Sequence, residues 1–270
     1  SFCIIWTAFT EKSRLGIGKK GDISMHIIFV ITSVIAILFI APLVFLVVQS
    51  KGGYSALLFD QFQFYPMFWN SIFYALFISI VQIILAAISA FGLTCIKMKG
   101  KNVLFLLFIV LIMMPQQVTV LPNFISLRMM GLFNTRAGIL LPSIFAPWGI
   151  VILFQYMKNM DISIIEAARI ETNSLLCVLF QIVFPSIKEY LGVIFLFLFA
   201  ESYNMLEQPL LFLKDDKLKT LSVFVSKADE YGENVMLSAA VIYMLPVLFL
   251  YLLFYNDTKK EMKYIEKNKI

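Results

Sequence analysis

Six stretches of this chain are apolar for about as long as an α-helix needs to cross a bilayer, and this recurrence restricts the fold more than any other feature. They cover about 26–48, 68–96, 103–127, 139–157, 190–213 and 235–255. A hydrocarbon core of ~30 Å takes ~20 apolar residues at helical rise. No water is available in that core, so every backbone N–H and C=O must be satisfied by the protein itself, and the runs predict helices. Charged side chains make up 14% of the chain and hydrophobic ones 60%, against ~25% charged in soluble domains, which excludes a soluble globular fold. The expectation is an all-α membrane protein with about six transmembrane helices.

Lysine and arginine are divided unevenly between the two sides that six spans define. The side with both termini carries 15; the other carries 7, namely Lys51, Arg128, Arg136, Lys214, Lys217, Lys219 and Lys227. Cytoplasmic loops hold the excess of basic residues, so both termini and the stretch 161–185 are expected in the cytoplasm. The net charge of +5 is read as topology; no basic cluster interleaved with aromatics suggests a nucleic-acid partner. Residues 1–25 form a cytoplasmic or interfacial N-terminal segment. Its opening SFCIIWTAF is too short to span, and basic residues follow it where a secretory signal would have them first. Residues 26–66 hold the first span and an external loop, 67–255 the main core, and 256–270 a basic cytoplasmic tail. Cys3, Cys95 and Cys177 lack metal-type spacing, and His26 has no partner for a metal or catalytic site.

The third span is interrupted by Pro115 and Pro122, which remove ladder donors and predict kinks. Gln116 and Gln117 stand beside the first of them, placed to bond across the bundle or line a path. The fifth span carries Glu201, Asn204, Glu207 and Gln208 in its second half. On a continuous helix Glu201, Asn204 and Gln208 share one face. A polar face is costly toward lipid, so it is expected to look into the bundle or a partner. Together with Gln116, Gln117 and the ring of Tyr203, these residues are candidates for a substrate pathway; the competing reading is that they join helices without touching substrate. Trp69 and Trp148 are read as interface anchors.

The stretch 161–185, DISIIEAARIETNSLLCVLFQIVFP, combines helical spacing, paired charges and a cap. Ser163 followed by Glu166 is a capping box that starts a helix. Ile164, Ile165, Ala168 and Leu175 fall near one face, and Glu166, Arg169 and Asn173 on another. Thr172, Asn173 and Ser174 favour a break, giving helix, turn, helix. A surface helix between two spans satisfies the same pattern. No GxxxxGK[ST], HExxH, cysteine pair or Ser-His-acid set is present, so the chain is expected neither to bind ATP nor to act as an enzyme.

From about residue 70 to 255 the chain resembles a sugar-type ABC importer permease of the maltose and glycerol-phosphate group, in its second-permease branch. The resemblance rests on EAARIETN at 166–173, set against the family's EAA loop, with Phe184-Pro185 following. Asn70-Ser71, MMPQQVTVLP, GLFNT and SYNMLEQPL support it in family order. Where the family prefers Asp-Gly-Ala, this chain has Glu171, Thr172 and Asn173, losing the glycine that turns most easily. Tyr203 replaces a usual tryptophan, and Glu201 and Glu207 are carboxylates for which the pattern has no counterpart.

The resemblance implies a type I importer permease fold whose coupling helix docks on a separate ATPase, with Ser163, Glu166, Ala167, Ala168, Glu171, Thr172 and Asn173 as the coupling residues. It implies a multi-pass protein of the bacterial cytoplasmic membrane. The implied partners are a second permease subunit, two ATPase subunits or domains, an extracytoplasmic solute-binding protein and a carbohydrate substrate. ATP and Mg would bind the ATPase, and this chain would hold no cofactor. Two other classes remain open on the residues alone: an ATP-independent channel or secondary transporter, and a membrane scaffold or sensor subunit.

Overall fold

The computed structural model describes residues 19–95, 99–159, 174–227 and 232–267, and among these the regular structure is helical throughout. The chain runs through α1 (Lys19–Gln49), α2 (Phe64–Cys95), α3 (Lys101–Met113), α4 (Gln116–Met129), α5 (Arg136–Ser143) and α6 (Pro147–Lys158). It continues with α7 (Leu175–Val178), α8 (Lys188–Tyr203), α9 (Glu207–Phe212), α10 (Leu221–Ser226) and α11 (Glu233–Lys267). Five helical segments are long and apolar enough to cross a membrane: Val30–Gln49, Phe64–Cys95, Arg136–Lys158, Tyr190–Phe212 and Glu233–Leu253. A sixth passage is made only if α3 and α4 are taken together, and these meet at a bend of 96°. With 13 residues, α3 is only about 20 Å long and cannot cross alone.

That bend refines the expectation of one kinked span over 103–127. Met114 and Pro115 are both extended (φ −73°, ψ 124° and φ −61°, ψ 138°). Proline disfavours helical geometry in the residue before it, so the break falls at this pair. Pro122, also expected to kink, sits inside α4 without ending it. Val118, whose carbonyl loses its donor to Pro122, is on an exposed part of that helix.

The bundle is centred on α2, whose buried residues recur at helical spacing: Met67, Ser71, Tyr74, Ala75, Ile78, Ser79, Gln82, Ala86, Ala87 and Ala90. Its most extensive neighbours are α6 and α8. Small residues set the approach: a Cβ added at Gly149 of α6 would lie 3.5 Å from the Cβ of Ala86. Lipid tails are as apolar as leucine, so close packing of this kind, rather than water exclusion, holds such helices together. By contrast α1 exposes Ile31, Ile37, Leu38, Phe45 and Val48, an apolar surface suited to lipid or a partner chain.

At one end of the bundle the loops are tied to one another. Asn70 Nδ2 donates to the carbonyls of Lys217 (2.7 Å) and Lys219 (3.2 Å), Tyr74 OH to that of Leu218 (3.0 Å), and Ser71 Oγ accepts from Leu221 N (2.6 Å). Asn134, the one non-glycine residue at positive φ among the described residues (60°), accepts at Oδ1 from Lys214 N (2.7 Å) and Asp215 N (3.0 Å). Its own N–H donates to Phe212 O at 3.0 Å. Thr135 then caps α5 by accepting from Gly138 N. Ser238 Oγ donates to Ser50 O (2.8 Å), joining the start of α11 to the end of α1. The seven basic residues of the less basic side all belong to this end or its connections. Here Lys219 Nζ donates to Asp216 Oδ1 at 2.6 Å, and this bond holds the Asp216 carboxyl below its ordinary value of 3.8. The pair contributes stability above that ordinary value and loses it as pH falls through the lowered one.

Asn134 combines a left-handed backbone, which costs other side chains about 1–2 kcal/mol, with two accepted hydrogen bonds. Replacement by alanine is expected to destabilise the chain by about 2 kcal/mol, and by glycine distinctly less, read as thermal unfolding in detergent. Equal losses in the two variants would show that the backbone conformation carries none of the cost.

Candidate functional site

The polar residues of the fifth passage gather around a break in it. Pro209 lacks an N–H, and its ring clashes with the carbonyl four residues earlier, which disfavours an unbroken helix from Tyr190 through Met205 to Phe212. The chain responds by ending α8 at Tyr203, with Asn204 N donating to Ala200 O at 3.0 Å, and restarting as α9 at Glu207. The shared face expected for Glu201, Asn204 and Gln208 is therefore not kept. Each turns to a different neighbour. Glu201 Oε2 accepts from Trp148 Nε1 of α6 (2.6 Å), Asn204 Oδ1 lies 2.7 Å from Tyr243 OH of α11, and Gln208 Oε1 accepts from Ser143 Oγ of α5 (2.8 Å). Glu207 Oε1 accepts from Gln117 Nε2 of α4 at 3.1 Å. Of the sequence candidates, Glu201, Asn204, Glu207 and Gln208 thus form a polar seam along the broken passage that bonds to separate partners on α6, α11, α4 and α5, Gln117 being the partner on α4; the side chain of Gln116 lies outside the described residues.

Three residues of this seam carry no signal that sequence reasoning used. Gln82, 7% exposed in the middle of α2, donates from Nε2 to the carbonyl of Ser143 at 2.6 Å. That carbonyl ends α5, and its helical donor would be residue 147, which is proline; the amide of Gln82 replaces the missing N–H. A lone amide within an apolar helix, and a serine four places before a proline, were the available clues. Tyr243 OH is 3.1 Å from Tyr203 O as well as close to Asn204. A phenol has one proton to donate, so both contacts are satisfied together when the Asn204 amide is turned to donate from Nδ2. Trp148, read as an interface anchor, instead ties α6 to Glu201.

Tyr203, considered for its ring face, is 1% exposed and stacks on Phe199 (5.6 Å) and Tyr243 (4.7 Å), so no face is free for a sugar. Its hydroxyl, like Gln82 Oε1, is buried without a hydrogen-bond partner among the described residues. Glu201, Asn204 and Glu207 are exposed on this chain. No three His, Cys, Asp or Glu side chains among the described residues come together as metal ligands would.

Ser163, Glu166, Ala167, Ala168, Glu171, Thr172 and Asn173 lie outside the described residues. From Ser174 the chain is helical again. Ser174 Oγ accepts from Cys177 N (3.4 Å) at the start of α7. The helix widens into a π-turn over Leu179–Val183 ahead of Pro185, then closes with the short turn Phe184–Ser186. Val178, Leu179, Val183 and Ile187 are buried in the cluster that includes Ile150, Leu153, Phe154 and Met157 of α6. Beside that cluster Tyr156 and Tyr190 stack at 4.0 Å and 12°. The end of the 161–185 stretch is therefore packed on α6 and joined directly to α8.

The chain that adopts this geometry is similar to permease proteins of transport systems. It is 26% identical over 210 residues to the arabinooligosaccharides transport system permease protein AraQ of Bacillus subtilis, covering 77% of this chain and 75% of that one. To the sn-glycerol-3-phosphate transport system permease protein UgpE of Brucella abortus it is 23% identical over 192 residues, 69% of this chain and 68% of the relative. The fold matches a chain from the crystal structure of a bacterial ABC transporter involved in the import of the acidic polysaccharide alginate, with a TM-score of 0.77 and 19% identity, over 89% of this chain and 98% of that chain. No family model matches the chain. Its relatives are thus permease proteins of sugar and glycerol-phosphate transport systems, its fold is that of an ABC importer permease, and it is an integral membrane protein.

Replacing Gln82 with leucine strands the buried Ser143 carbonyl, a loss of about 1–3 kcal/mol. Thermal unfolding of the purified chain or complex is expected to fall accordingly, and an unchanged midpoint would show that another donor serves that carbonyl.

Proposed function

We propose that this chain is the membrane permease subunit of an ATP-driven importer that moves a carbohydrate or related polyol into the cytoplasm. The observation that carries the reading is the likeness to transport-system permeases along more than two thirds of the chain, joined to the importer permease fold. The chain acts with a second permease subunit, two ATPase subunits or domains that bind ATP and Mg, and an external solute-binding protein. Both termini and the 161–185 stretch face the cytoplasm, in line with 15 basic residues on that side against 7 on the other.

In this reading the EAA stretch is a coupling helix that docks in a groove of the ATPase through its apolar face, with Glu166 and Glu171 meeting basic residues there. Burial of Val178, Leu179, Val183 and Ile187 against α6 supports a mechanical role, since a displacement of the stretch has a packed route into the membrane core. With threonine rather than glycine at position 172, Asn173 is the neighbouring residue that best tolerates left-handed geometry. The seam around the broken fifth passage supplies the polar surface of the substrate pathway, offering Gln117, Glu201, Asn204, Glu207 and Gln208.

Glu166→Ala, or a charge introduced as Ala167→Lys, is expected to uncouple ATP hydrolysis from uptake in the reconstituted importer. Substrate-stimulated hydrolysis and uptake both at normal rates in the two variants would remove the coupling role. Uptake persisting without any ATPase would favour a channel or secondary transporter, and an assembled complex that moves nothing would favour a scaffold.

A further inference from the structure

The fixed charge inside the spans is of one sign. Between positions 64–95, 102–127, 137–157, 190–213 and 234–253 the sequence has no lysine, arginine or histidine, and its only acidic residues are Glu201 and Glu207. Glu201 lies 11 residues into the passage that starts at Tyr190, about 17 Å along a helix and so near mid-membrane. An exposed carboxylate at that depth is costly toward lipid and belongs on a water-filled or protein-facing surface. Neither carboxylate is paired with a cation. Among the described residues the one ion pair is Lys219 with Asp216, in the outer loop. Both are held by neutral donors, Trp148 Nε1 and Gln117 Nε2, which orient a carboxylate without cancelling its charge. The cations at the loop end are engaged elsewhere: Arg128 over Phe124 and Phe133, Lys214 over Phe133, and Arg136 over Phe73.

The same seam holds hydrogen-bonding capacity the fold does not use. Gln82 Oε1 and the Tyr203 hydroxyl are buried without partners among the described residues. Both belong to the seam's own network, Gln82 through Ser143 to Gln208, and Tyr203 through its stack on Tyr243 to Asn204. Native proteins keep such unmatched polar atoms rarely, and chiefly where function uses them.

We propose that Glu201 and Glu207 make this part of the pathway electronegative, so that it passes neutral or cationic carbohydrates and rejects anionic ones such as uronates or sugar phosphates. Carbohydrate hydroxyls donate to carboxylates and amide oxygens, and an amino sugar gains attraction besides. An anionic sugar meets two carboxylates that no cation pairs with among the described residues. This selection rests on the importer reading and adds to it the charge class of the substrate.

The test uses the assembled importer in membranes, with Cys3, Cys95 and Cys177 replaced by serine and Asn204→Cys as reporter. Modification rates are compared for a cationic and an anionic methanethiosulfonate of similar size, each relative to its rate with a free thiol. The cationic reagent is expected to be favoured by about tenfold or more. Glu201→Gln with Glu207→Gln is expected to abolish that preference, and Glu201→Asp with Glu207→Asp to keep it. In uptake assays with one binding protein, the glutamine pair is expected to raise the rate for a galacturonate trimer relative to a neutral trimer, each normalised to binding-protein occupancy. Equal reagent rates, no modification by either reagent, or a preference that survives the glutamine pair would overturn the proposal. Failure of ATP-driven uptake for every carbohydrate would instead sink the importer reading and leave the reagent ratio to stand or fall on its own.

Discussion

A carbonyl that loses its donor inside a membrane has no water to turn to, and the form of this protein follows from where proline creates such carbonyls. Pro147 vacates the carbonyl of Ser143, and Gln82 fills it from the central helix. Pro209 ends α8 early and leaves Asn204, Met205 and Leu206 as a joint instead of a turn of helix. Pro115 folds α3 against α4 at nearly a right angle. Each repair recruits a polar side chain or an irregular segment into the bundle. The polar seam lies beside these breaks: Gln82 serves the carbonyl that Pro147 vacates, and the side chains around the joint at 204–206 bond to neighbouring helices.

The loop end that carries residues 212–221 is held by a different device. Side-chain amides and hydroxyls of Asn70, Ser71, Tyr74 and Asn134 take up backbone groups of the 212–221 loop, which would otherwise be tethered only by its own turns. These residues include the short family-like signatures that open α2 and precede α5. Their function in this chain is to fix one loop on α2 and on the turn before α5, so this end of the bundle has a defined shape.

The spans were legible because twenty apolar residues leave few alternatives. Which proline breaks a helix was not. Pro115 and Pro209 do, whereas Pro42, Pro122 and Pro246 stay inside theirs. The difference depends on what surrounds the vacated carbonyl, which sequence spacing does not contain. The same limit applied to Glu201, Asn204 and Gln208. Their common face required an intact helix, and the proline one residue after Gln208 had already withdrawn it. The tryptophan at 148 looked like an anchor because tryptophans usually are; only the fold puts its N–H against a carboxylate.

Contacts near both ends of α6 and α8 have a mechanical consequence. Tyr156 and Tyr190 lie face to face beside the packed 174–187 end of the connection, and Trp148 and Glu201 join the same helices farther along. Two rods fastened at two separated points cannot open like scissors. In the proposed coupling, a push arriving through the 174–187 end would move the pair together against α2, where Ala86, Ala87 and Ala90 are the small buried residues. A frame fastened in this way favours torque over splaying.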